Sequence, residues 1–401
     1  MKNPMKYSSI SAIPITAVKK EINEKIWLSS PHMGEHEMQY LRTAYRSNWI
    51  APLGPFVDGF ENDLENYLGE EVHVAALNSG TSAIHLALIL SDVGVDDYVI
   101  CQSMTFAASA NPIRYVGAIP VFVDSESNSW NMDPEQLEKA IQWCIARGKK
   151  PKAIIPVHLY GMPAAMERIC EIAKNYKINV IEDAAEALGS DIGGKKCGTW
   201  GDFGILSFNG NKIITTSGGG ALVSKNADAI VKARYLSTQA RDSAVHYQHS
   251  VIGYNYRLSN ICAAIGRGQM EVLDKHVIQH RKNFRKYFYE LLDIPQIHFQ
   301  NEPGDSYSNR WLTSIIIDDS INNGKSRHTL YEHLAVLNIE SRPVWKPLHM
   351  QPVFESYPFF SNEVSVSEQF FKQGLCLPSG SNLAEEQTDF VINEIKEHFL
   401  L

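Results

Sequence analysis

Lys212 has the clearest chemical potential in the chain, because small and hydroxyl-bearing residues surround it in the stretch SFNGNKIITTSGGG, which begins at Ser207. An amine that attacks an aldehyde must be neutral part of the time, in a tight polar pocket that a flat molecule can enter. Most lysines only solvate the surface, so the residue type alone does not single out Lys212. Its distance from an acidic pair is more informative, since Asp183 of Glu182-Asp183 precedes it by 29 residues. The pattern favours a lysine that forms a Schiff base.

The acidic pair ends a strand-like run. Val180 and Ile181 come directly before Glu182 and Asp183, and two alanines follow. A carboxylate at the end of a strand can pair with a protonated ring nitrogen and strengthen the ring as an electron sink. Adjacent strand residues point to opposite faces, so only one of the two acids can readily face a ligand there. Periodicity leaves open which one it is, and Asp183 is the candidate.

Two further motifs could hold parts of a flat, phosphorylated ligand. The turn NSGTSA places Gly80, Thr81 and Ser82 between an apparent strand and an apparent helix. Free N–H groups and the helix dipole favour an anion such as phosphate at such a start, although an ordinary helix cap has the same composition. Phe106, in TFAA, follows another apparent strand. Its ring either stacks on a planar ligand or belongs to the core.

The elements that must position these motifs alternate in type between residues 72 and 224. Short apolar runs rich in β-branched residues predict buried strands over 72–77, 98–101, 119–123, 153–157, 179–181, 204–208 and 221–223. Helical spacing predicts helices between several of them, over 82–90, 107–115, 134–146 and 163–176. The alternation predicts an α/β fold with a mostly parallel sheet, whose ligands bind at the carboxyl ends of the strands.

The chain is long for a single hydrophobic core, with 401 residues, so two domains are expected. A helical stretch over 260–292 carries the predicted boundary. After it come a strand-like run at 311–317 and helices near 329–337 and 385–399, which suggests a compact smaller domain. The predicted organisation is an N-terminal segment at 1–30, a large domain at 31–265 and a small C-terminal domain at 266–401.

Composition disfavours several classes of function. A formal charge of −8 without a dense Lys/Arg stripe argues against nucleic-acid binding. No apolar run reaches the length of a signal peptide or a membrane span, so we expect a soluble protein that is not exported. Six cysteines without a CxxC spacing favour the reducing cytoplasm. The pairs His32/His36 and His276/His280 have helical ligand spacing but lack a third ligand, so no metal site is predicted.

A phosphate turn, a strand-end aspartate and a downstream lysine occur here in the order typical of a pyridoxal-phosphate enzyme. Five blocks resemble the DegT/DnrJ family of nucleotide-sugar aminotransferases: NSGTSAIHLAL, EDAAEALGS, GDFGILSFNGNKIITTSGGGALV, GYNYRLSNICAAIGRGQ and RPVWKPLHMQPVF. The resemblance covers about 26–401 and implies the aspartate-aminotransferase-like fold (PLP fold type I), with a mostly parallel central sheet and a smaller C-terminal α+β domain. Three further blocks look most like enzymes that aminate a UDP-4-keto-6-deoxy-N-acetylhexosamine, as in bacillosamine synthesis: SSPHMGEHEMQYL, NWIAPLGPFVDGFE and TFAASANPIRYVGAIPVFVD.

The resemblance also implies a role for each motif residue. Lys212 forms the Schiff base with pyridoxal 5'-phosphate, Asp183 pairs with the pyridinium nitrogen, and Glu186 lies near the ring hydroxyl, where many relatives have Gln or His. Gly80, Thr81, Ser82 and Ser207 match phosphate ligands. Phe106 matches the ring-stacking position, and Asn255 matches a phosphate contact that the neighbouring subunit supplies. A homodimer is therefore implied. The sugar nucleotide is expected near Asn211, Arg257, Trp345, Lys346 and His349.

The implied reaction is transamination of a nucleotide-linked keto sugar, with glutamate as donor and pyridoxamine phosphate as the intermediate form of the cofactor. One alternative is an aminotransferase for a dTDP-linked 3-keto sugar. Another is a dehydratase of the same family, which carries histidine at the lysine position, and a third is a non-catalytic regulator that keeps the fold. Lys212 argues against the dehydratase, and Lys212 with Asp183 argues against the regulator.

Overall fold

The computed structural model describes residues 24–69, 71–321 and 324–400. Of the predicted N-terminal segment at 1–30, residues 1–23 lie outside the described residues. The helices are α1 (Glu37–Arg46), α2 (Pro55–Leu68), α3 (Gly80–Leu90), α4 (Asn111–Tyr115), α5 (Pro134–Ala146), α6 (Met166–Tyr176), α7 (Ala227–Ser237), α8 (Asn260–Met270), α9 (Leu273–Leu291), α10 (Arg327–Val336), α11 (Val366–Gln373) and α12 (Glu385–Leu400). The strands are β1 (His73–Leu77), β2 (Tyr98–Gln102), β3 (Ile119–Val123), β4 (Ala153–Ile155), β5 (Asn179–Asp183), β6 (Asp191–Ile192), β7 (Lys195–Lys196), β8 (Phe203–Ser207), β9 (Gly220–Ser224), β10 (Ile297–Phe299), β11 (Ser306–Tyr307), β12 (Thr313–Ile317), β13 (Arg342–Pro343), β14 (Phe359–Phe360) and β15 (Gly374–Leu377).

The large sheet contains eight strands in the order β1-β9-β8-β5-β4-β2-β3-β14. Strand β9 is antiparallel to both of its neighbours, and the other five pairings are parallel. Alternate strand residues pack against α3 and α7 on one face, and against α2 and α8 or α5 and α6 on the other. The predicted α/β fold with a mostly parallel sheet is confirmed.

Local sequence signals explain why several elements have the predicted bounds. Strand β3 and helix α5 begin and end at the predicted residues. Asp133 caps α5, because its side chain accepts the N–H groups of Glu135 and Gln136. Pro134 occupies the first turn of α5, where a backbone N–H has no acceptor inside the helix, so the N–H that proline lacks is not missed as a hydrogen bond.

Two predicted helices are each divided in the structure. The helix predicted over 107–115 is a short 3-10 turn, Ala107–Ser109, followed by α4, whose first turn contains a proline. Proline cannot continue a preceding helix but suits the start of a new one. The helix predicted over 260–292 is interrupted between α8 and α9, where Val272 has φ −112° and ψ 0°. At the break, the side chain of Val272 lies against Gly34.

A second, antiparallel sheet has the order β10-β12-β15-β13. Helices α9, α10 and α12 pack on it around an apolar core of their own. Strand β14 instead joins the edge of the large sheet, where Phe359 pairs with Phe122. The boundary predicted at residue 265 falls inside α8 and stays a prediction.

The described helices and the cysteines bear on the predicted surroundings of the protein. Within residues 24–69, 71–321 and 324–400, every helix is too short or too polar to cross a membrane. All six cysteines are free thiols. Four of them are buried and contribute to packing: Cys101, Cys144, Cys197 and Cys376.

Candidate active site

A pocket opens at the carboxyl ends of β1, β2, β5 and β8, which run in the same direction in the large sheet. Each of these strands is followed by one of the predicted motifs, so loops that are far apart in sequence meet at one edge of the sheet. The pocket is lined by nine of the predicted site residues, namely Gly80, Thr81, Phe106, Asp183, Glu186, Ser207, Asn211, Lys212 and Trp345.

Lys212 enters the pocket from the loop after β8. Its Nζ lies 3.4 Å from Oε1 of Glu186 and 4.2 Å from the centre of the Trp311 ring. The lysine side chain is 13% exposed, so it is shielded from water but open to a ligand. A carboxylate and an aromatic face both stabilise an ammonium group. The amine therefore has a defined resting position on the pocket wall.

The acidic pair at the end of β5 is divided between the two faces of the sheet. Asp183 lines the pocket, where its Oδ2 accepts the Ser109 hydroxyl at 2.6 Å and its Oδ1 accepts the Ala185 N–H at 3.2 Å. Glu182 is completely buried on the opposite face. This orientation is the one that strand periodicity left open, and the contact of Asp183 with a ring nitrogen stays a prediction.

Glu182 is surrounded by hydrogen-bond donors. Its Oε1 accepts from Nε2 of His158 at 2.7 Å and from the N–H of Gly198. Its Oε2 accepts from the N–H of Trp200 at 2.8 Å and of Gly201 at 3.2 Å. A carboxylate has about four acceptor positions, so this one is saturated and holds the 198–201 loop against β5.

The same region contains a group of three potential metal ligands, His158, Glu182 and Cys197, whose ligand atoms lie within 4.8 Å of one another. Nδ1 of His158 accepts the Ala164 N–H at 2.9 Å. Nδ1 therefore acts as an acceptor, and the proton on Nε2 is the one donated to Glu182. Hydrogen bonds thus account for the buried polar atoms of His158 and Glu182 without an ion.

Glu186 is the second carboxylate of the pocket. One of its oxygens faces Lys212, and the other accepts the Tyr160 N–H at 2.7 Å. Burial raises the pKa of Glu186 above its ordinary value of 4.5, against the opposing effects of Lys212 and the Tyr160 N–H. Its proximity to the ring hydroxyl of a cofactor stays a prediction.

The start of α3 is arranged to receive an anion. Ser79 caps the helix by accepting the Ser82 N–H at 3.1 Å, and the N–H groups of Gly80 and Thr81 have no acceptor inside the helix, as at any helix start. Ser207 lies opposite, so that a Cβ added to Gly80 would come within 3.3 Å of the Ser207 Cβ. Glycine at this position keeps the helix start and the Ser207 hydroxyl close together.

Aromatic rings line the pocket, and Phe106 lies at its mouth. Phe106 is 56% exposed, which excludes the alternative that it belongs to the core. Its ring centre lies 5.4 Å from that of Trp345. The Trp311 indole N–H donates to the backbone oxygen of Asn211 at 2.7 Å. An exposed ring at this edge can stack on a flat ligand.

Two of the predicted substrate residues are engaged elsewhere. Arg257 is buried, pairs with Glu61 and donates to the backbone oxygen of Ala76 at 3.0 Å. The ring of His349 stacks on Phe359 at 3.5 Å, and its Nδ1 lies 2.7 Å from the Ser103 hydroxyl. The structure does not bring either residue into the pocket lining, because each is committed to a long-range contact. Their substrate roles stay predictions.

Ser82 and Asn255 also lie outside the pocket lining. The Ser82 hydroxyl, in the first turn of α3, donates to Oδ1 of Asn78 at 2.6 Å, just before the helix. Asn255 is exposed, and its backbone oxygen accepts from Nδ2 of Asn78 at 3.2 Å. An exposed Asn255 is compatible with the predicted contact across a subunit interface, which stays a prediction.

Three residues at the site escaped the sequence reasoning. Ser109 contacts Asp183, Tyr160 holds Glu186 through its backbone N–H, and Trp311 lies under the Lys212 amine. Ser109 follows Thr105 by four residues in TFAAS, a spacing that could have singled it out. Tyr160 and Trp311 are distant in sequence from the residues they contact, so no local signal identifies them.

A model of the DegT/DnrJ/EryC1/StrS aminotransferase family matches residues 31–396. The chain belongs to this family. EpsN of Bacillus subtilis (strain 168), named a putative pyridoxal phosphate-dependent aminotransferase, is 52% identical over 380 residues, which cover 94% of this chain and 97% of EpsN. GDP-perosamine synthase of Escherichia coli O157:H7 is 38% identical over 375 residues, 92% of this chain and 97% of the synthase. The crystal structure of a DegT DnrJ EryC1 StrS aminotransferase from Brucella abortus matches with a TM-score of 0.85 and 32% identity, covering 91% of this chain and 95% of that one.

Membership of the DegT/DnrJ/EryC1/StrS family makes the chain a pyridoxal phosphate-dependent sugar aminotransferase, which confirms the predicted fold, enzyme class and cofactor. The pocket residues fit this cofactor. They supply an amine at Lys212, a carboxylate with unused acceptor positions at Asp183, and a helix start with unpaired N–H groups. The exposed ring of Phe106 supplies a face for the flat cofactor.

Proposed function

We propose that the chain transfers the amino group of glutamate to the carbonyl carbon of a UDP-4-keto-6-deoxy-N-acetylhexosamine. Amino transfer is supported above all by one observation: Lys212 shares a pocket with two carboxylates, Asp183 and Glu186, at the carboxyl ends of the strands. The substrate class is supported by the resemblance of the blocks that contain Pro31, Pro55 and Phe106. Glutamate is the usual donor in enzymes of this kind.

Bound pyridoxal phosphate supplies an aldehyde and an electron-withdrawing ring. Lys212 would be the amine that holds this aldehyde, and an amino donor would displace it. The freed Lys212 amine would then act as the general base toward the α-carbon of the donor and as the proton donor and acceptor toward the keto sugar. Glu186, 3.4 Å from the amine, stabilises it when it carries the proton. Asp183 would stabilise a protonated ring nitrogen, and the start of α3 would bind the phosphate.

We also propose that the working unit is a homodimer. Several apolar side chains near Asn255 are strongly exposed, with Tyr247 at 78% and Ile252 at 85%. Exposed apolar patches indicate a protein contact, and a second copy of the chain would cover them while bringing Asn255 to the neighbouring phosphate site. Sedimentation of the cofactor-loaded protein tests this, with a dimer expected and a monomer at micromolar concentration as the contrary result.

A GDP-linked keto sugar is a second candidate substrate. It is favoured by the 38% identity to GDP-perosamine synthase over 92% of this chain. A dTDP-linked 3-keto sugar is the remaining alternative. All three candidates use the same amino-transfer chemistry and differ in the nucleotide and in the position of the carbonyl.

The test is a screen of keto sugars with the cofactor-loaded enzyme. UDP-, GDP- and dTDP-linked sugars are each incubated with glutamate, glutamine or aspartate, and the products are identified by NMR. We expect the amino sugar to form fastest from the UDP-linked 4-keto substrate with glutamate, and no product with the Lys212→Ala variant. Faster turnover of the GDP-linked sugar would replace the proposed substrate by the second candidate. Product from the Lys212→Ala variant would overturn the proposed role of the lysine.

A further inference from the structure

The loop after β2 contacts the carboxylate that faces the pocket. Ser109 and Asp183 both line the pocket, and both are nearly inaccessible, at 1% and 5% exposure. The Ser109 hydroxyl donates to Oδ2 of Asp183 at 2.6 Å. This is a short, charge-assisted hydrogen bond between groups that lie 74 residues apart in the chain.

The direction of the next hydrogen bond follows from proton counting. Oγ1 of Thr105 lies 2.8 Å from Oγ of Ser109. A serine hydroxyl has a single proton, and Ser109 gives its proton to the carboxylate, which has none to offer. Thr105 must therefore donate to Ser109, so a relay runs from Thr105 through Ser109 to Asp183. Each donor polarises the next, which strengthens the final hydrogen bond.

The relay leaves Asp183 able to accept a further donor. Ser109 occupies one position on Oδ2, and the Ala185 N–H occupies one on Oδ1. A carboxylate has about four acceptor positions, so about two remain for a ring N–H. Glu182, which has four donors of its own, has no such capacity. The two fixed hydrogen bonds determine where the remaining positions of Asp183 point.

The same loop also presents the exposed ring at the pocket. Phe106 lies between Thr105 and Ser109, and its side chain is 56% exposed at the pocket mouth. A single five-residue segment, TFAAS, thus carries both the stacking face and the donors that fix the carboxylate. Movement of this segment would displace the ring and the carboxylate partner together.

We propose that Ser109 is a positioning residue for Asp183, with Thr105 as its own donor, and that this relay aims the carboxylate at the ring nitrogen of the cofactor. The proposal rests on the assignment of Asp183 to that nitrogen. It requires the hydroxyl group at residue 109 and not merely its volume. Thr105 acts one hydrogen bond further away, so its removal has the smaller effect.

The test compares Ser109→Ala, Ser109→Thr and Thr105→Val with the wild type and Asp183→Asn, using the cofactor-loaded enzyme. One measurement is the dissociation constant of pyridoxal phosphate. The other is the rate at which glutamate alone bleaches the visible absorbance of the cofactor, as a function of glutamate concentration. We expect Ser109→Ala to weaken cofactor binding roughly 10-fold or more, as for loss of a hydrogen bond to a charged group, and Thr105→Val about 3-fold. The limiting bleaching rate should fall, while the half-saturating glutamate concentration stays unchanged.

Rescue separates positioning from packing. Ser109→Thr keeps a hydroxyl and should bind the cofactor as the wild type does. If Ser109→Thr is as impaired as Ser109→Ala, or if Ser109→Ala is unaffected while Asp183→Asn is impaired, the relay is wrong. If Asp183→Asn also binds and reacts as the wild type does, the assignment of Asp183 fails and the relay fails with it. Absence of bleaching by glutamate in the wild type would contradict glutamate as the donor. Thermal unfolding of each variant checks the fold. If Ser109→Ala does not fold, Thr105→Val is compared with the wild type and Asp183→Asn in its place.

Discussion

Glu182 and Asp183 are neighbours in sequence and carry the same charge, yet they meet opposite surroundings. Glu182 is buried and its oxygens accept four hydrogen bonds, three of them from the backbone of one loop. Asp183 faces the pocket and accepts from Ser109 and from the Ala185 N–H. A saturated carboxylate holds the fold together, whereas a carboxylate with unused acceptor positions can bind a ligand.

The difference is produced by a single step along β5. Side chains alternate across a strand, so the last two residues of β5 lie on opposite faces of the sheet. The face of Glu182 meets the 198–201 loop, which supplies donors and leaves Glu182 fully buried. The face of Asp183 meets the pocket that the ends of β1, β2 and β8 enclose. Charge alone therefore does not determine the role of either acid, because the face of the sheet on which it lies and the donors around it do.

The largest effect is expected from Asp183→Asn, which breaks the pocket side of the comparison. The amide keeps the shape but not the charge that stabilises a protonated ring nitrogen. We expect kcat to fall on the order of 10²- to 10³-fold, as when an enzyme loses one preorganised electrostatic contact. The free energy of unfolding should change by less than about 1 kcal/mol, because the site is adapted to a ligand. Steady-state kinetics and urea unfolding measure the two quantities, and wild-type kcat in this variant would remove Asp183 from the mechanism.

Glu182→Gln is the matched control on the core side and should give the reverse pattern. Its amide NH₂ would face backbone N–H groups that have no other acceptor. We expect the free energy of unfolding to fall by about 2 to 4 kcal/mol, while the folded, cofactor-loaded fraction keeps most of its activity. Urea unfolding and kinetics normalised to bound cofactor test this. Normal stability combined with lost turnover would show that Glu182 acts at the site.

Glu186→Gln tests the second carboxylate of the pocket through the pH dependence of the free energy of unfolding. Its expected effect is the smallest of the three. Burial raises the pKa of Glu186 above 4.5. In the cofactor-free protein, between pH 4.5 and this raised pKa, Glu186 is therefore protonated in the folded state and has released its proton in the unfolded chain. The free energy of unfolding should fall as the pH rises through this window, by at most about 1.4 kcal/mol per pH unit, and Glu186→Gln should lack this loss.

Urea unfolding of the wild type and Glu186→Gln at several pH values measures the difference. Glu135→Gln, at an exposed position on α5, is the control and should follow the wild type. Parallel pH curves for the wild type and Glu186→Gln would contradict a raised pKa at Glu186.

Much of the scaffold could be predicted from the sequence because its signals are local. Short apolar runs rich in β-branched residues predicted the strands, and helical spacing predicted α5. Where local signals were misleading, tertiary contacts decided the outcome. At the break between α8 and α9, Val272 packs on Gly34, a contact that no helical pattern contains.

The site was predictable to the extent that its residues follow strand ends. Lys212, Asp183 and the start of α3 satisfy that condition and meet in one pocket. Arg257 does not, because its partner Glu61 is 196 residues away and holds it outside the pocket lining. Most donors that distinguish Asp183 from Glu182 lie in other elements, with Ser109 74 residues from Asp183 and the donors to Glu182 16 to 24 residues from it. The sequence alone therefore does not assign the separate roles of the two acids.

The most direct test of the account is to locate the covalent bond between the protein and pyridoxal phosphate. The cofactor-loaded enzyme is reduced with borohydride, digested and examined by peptide mass spectrometry, with Lys212→Ala as the control. We predict the pyridoxyl group on the peptide that contains Lys212, and no stoichiometric label on Lys212→Ala. A label on another lysine in the wild type, with Lys212 unmodified, would contradict the assignment of this pocket as the site of amino transfer.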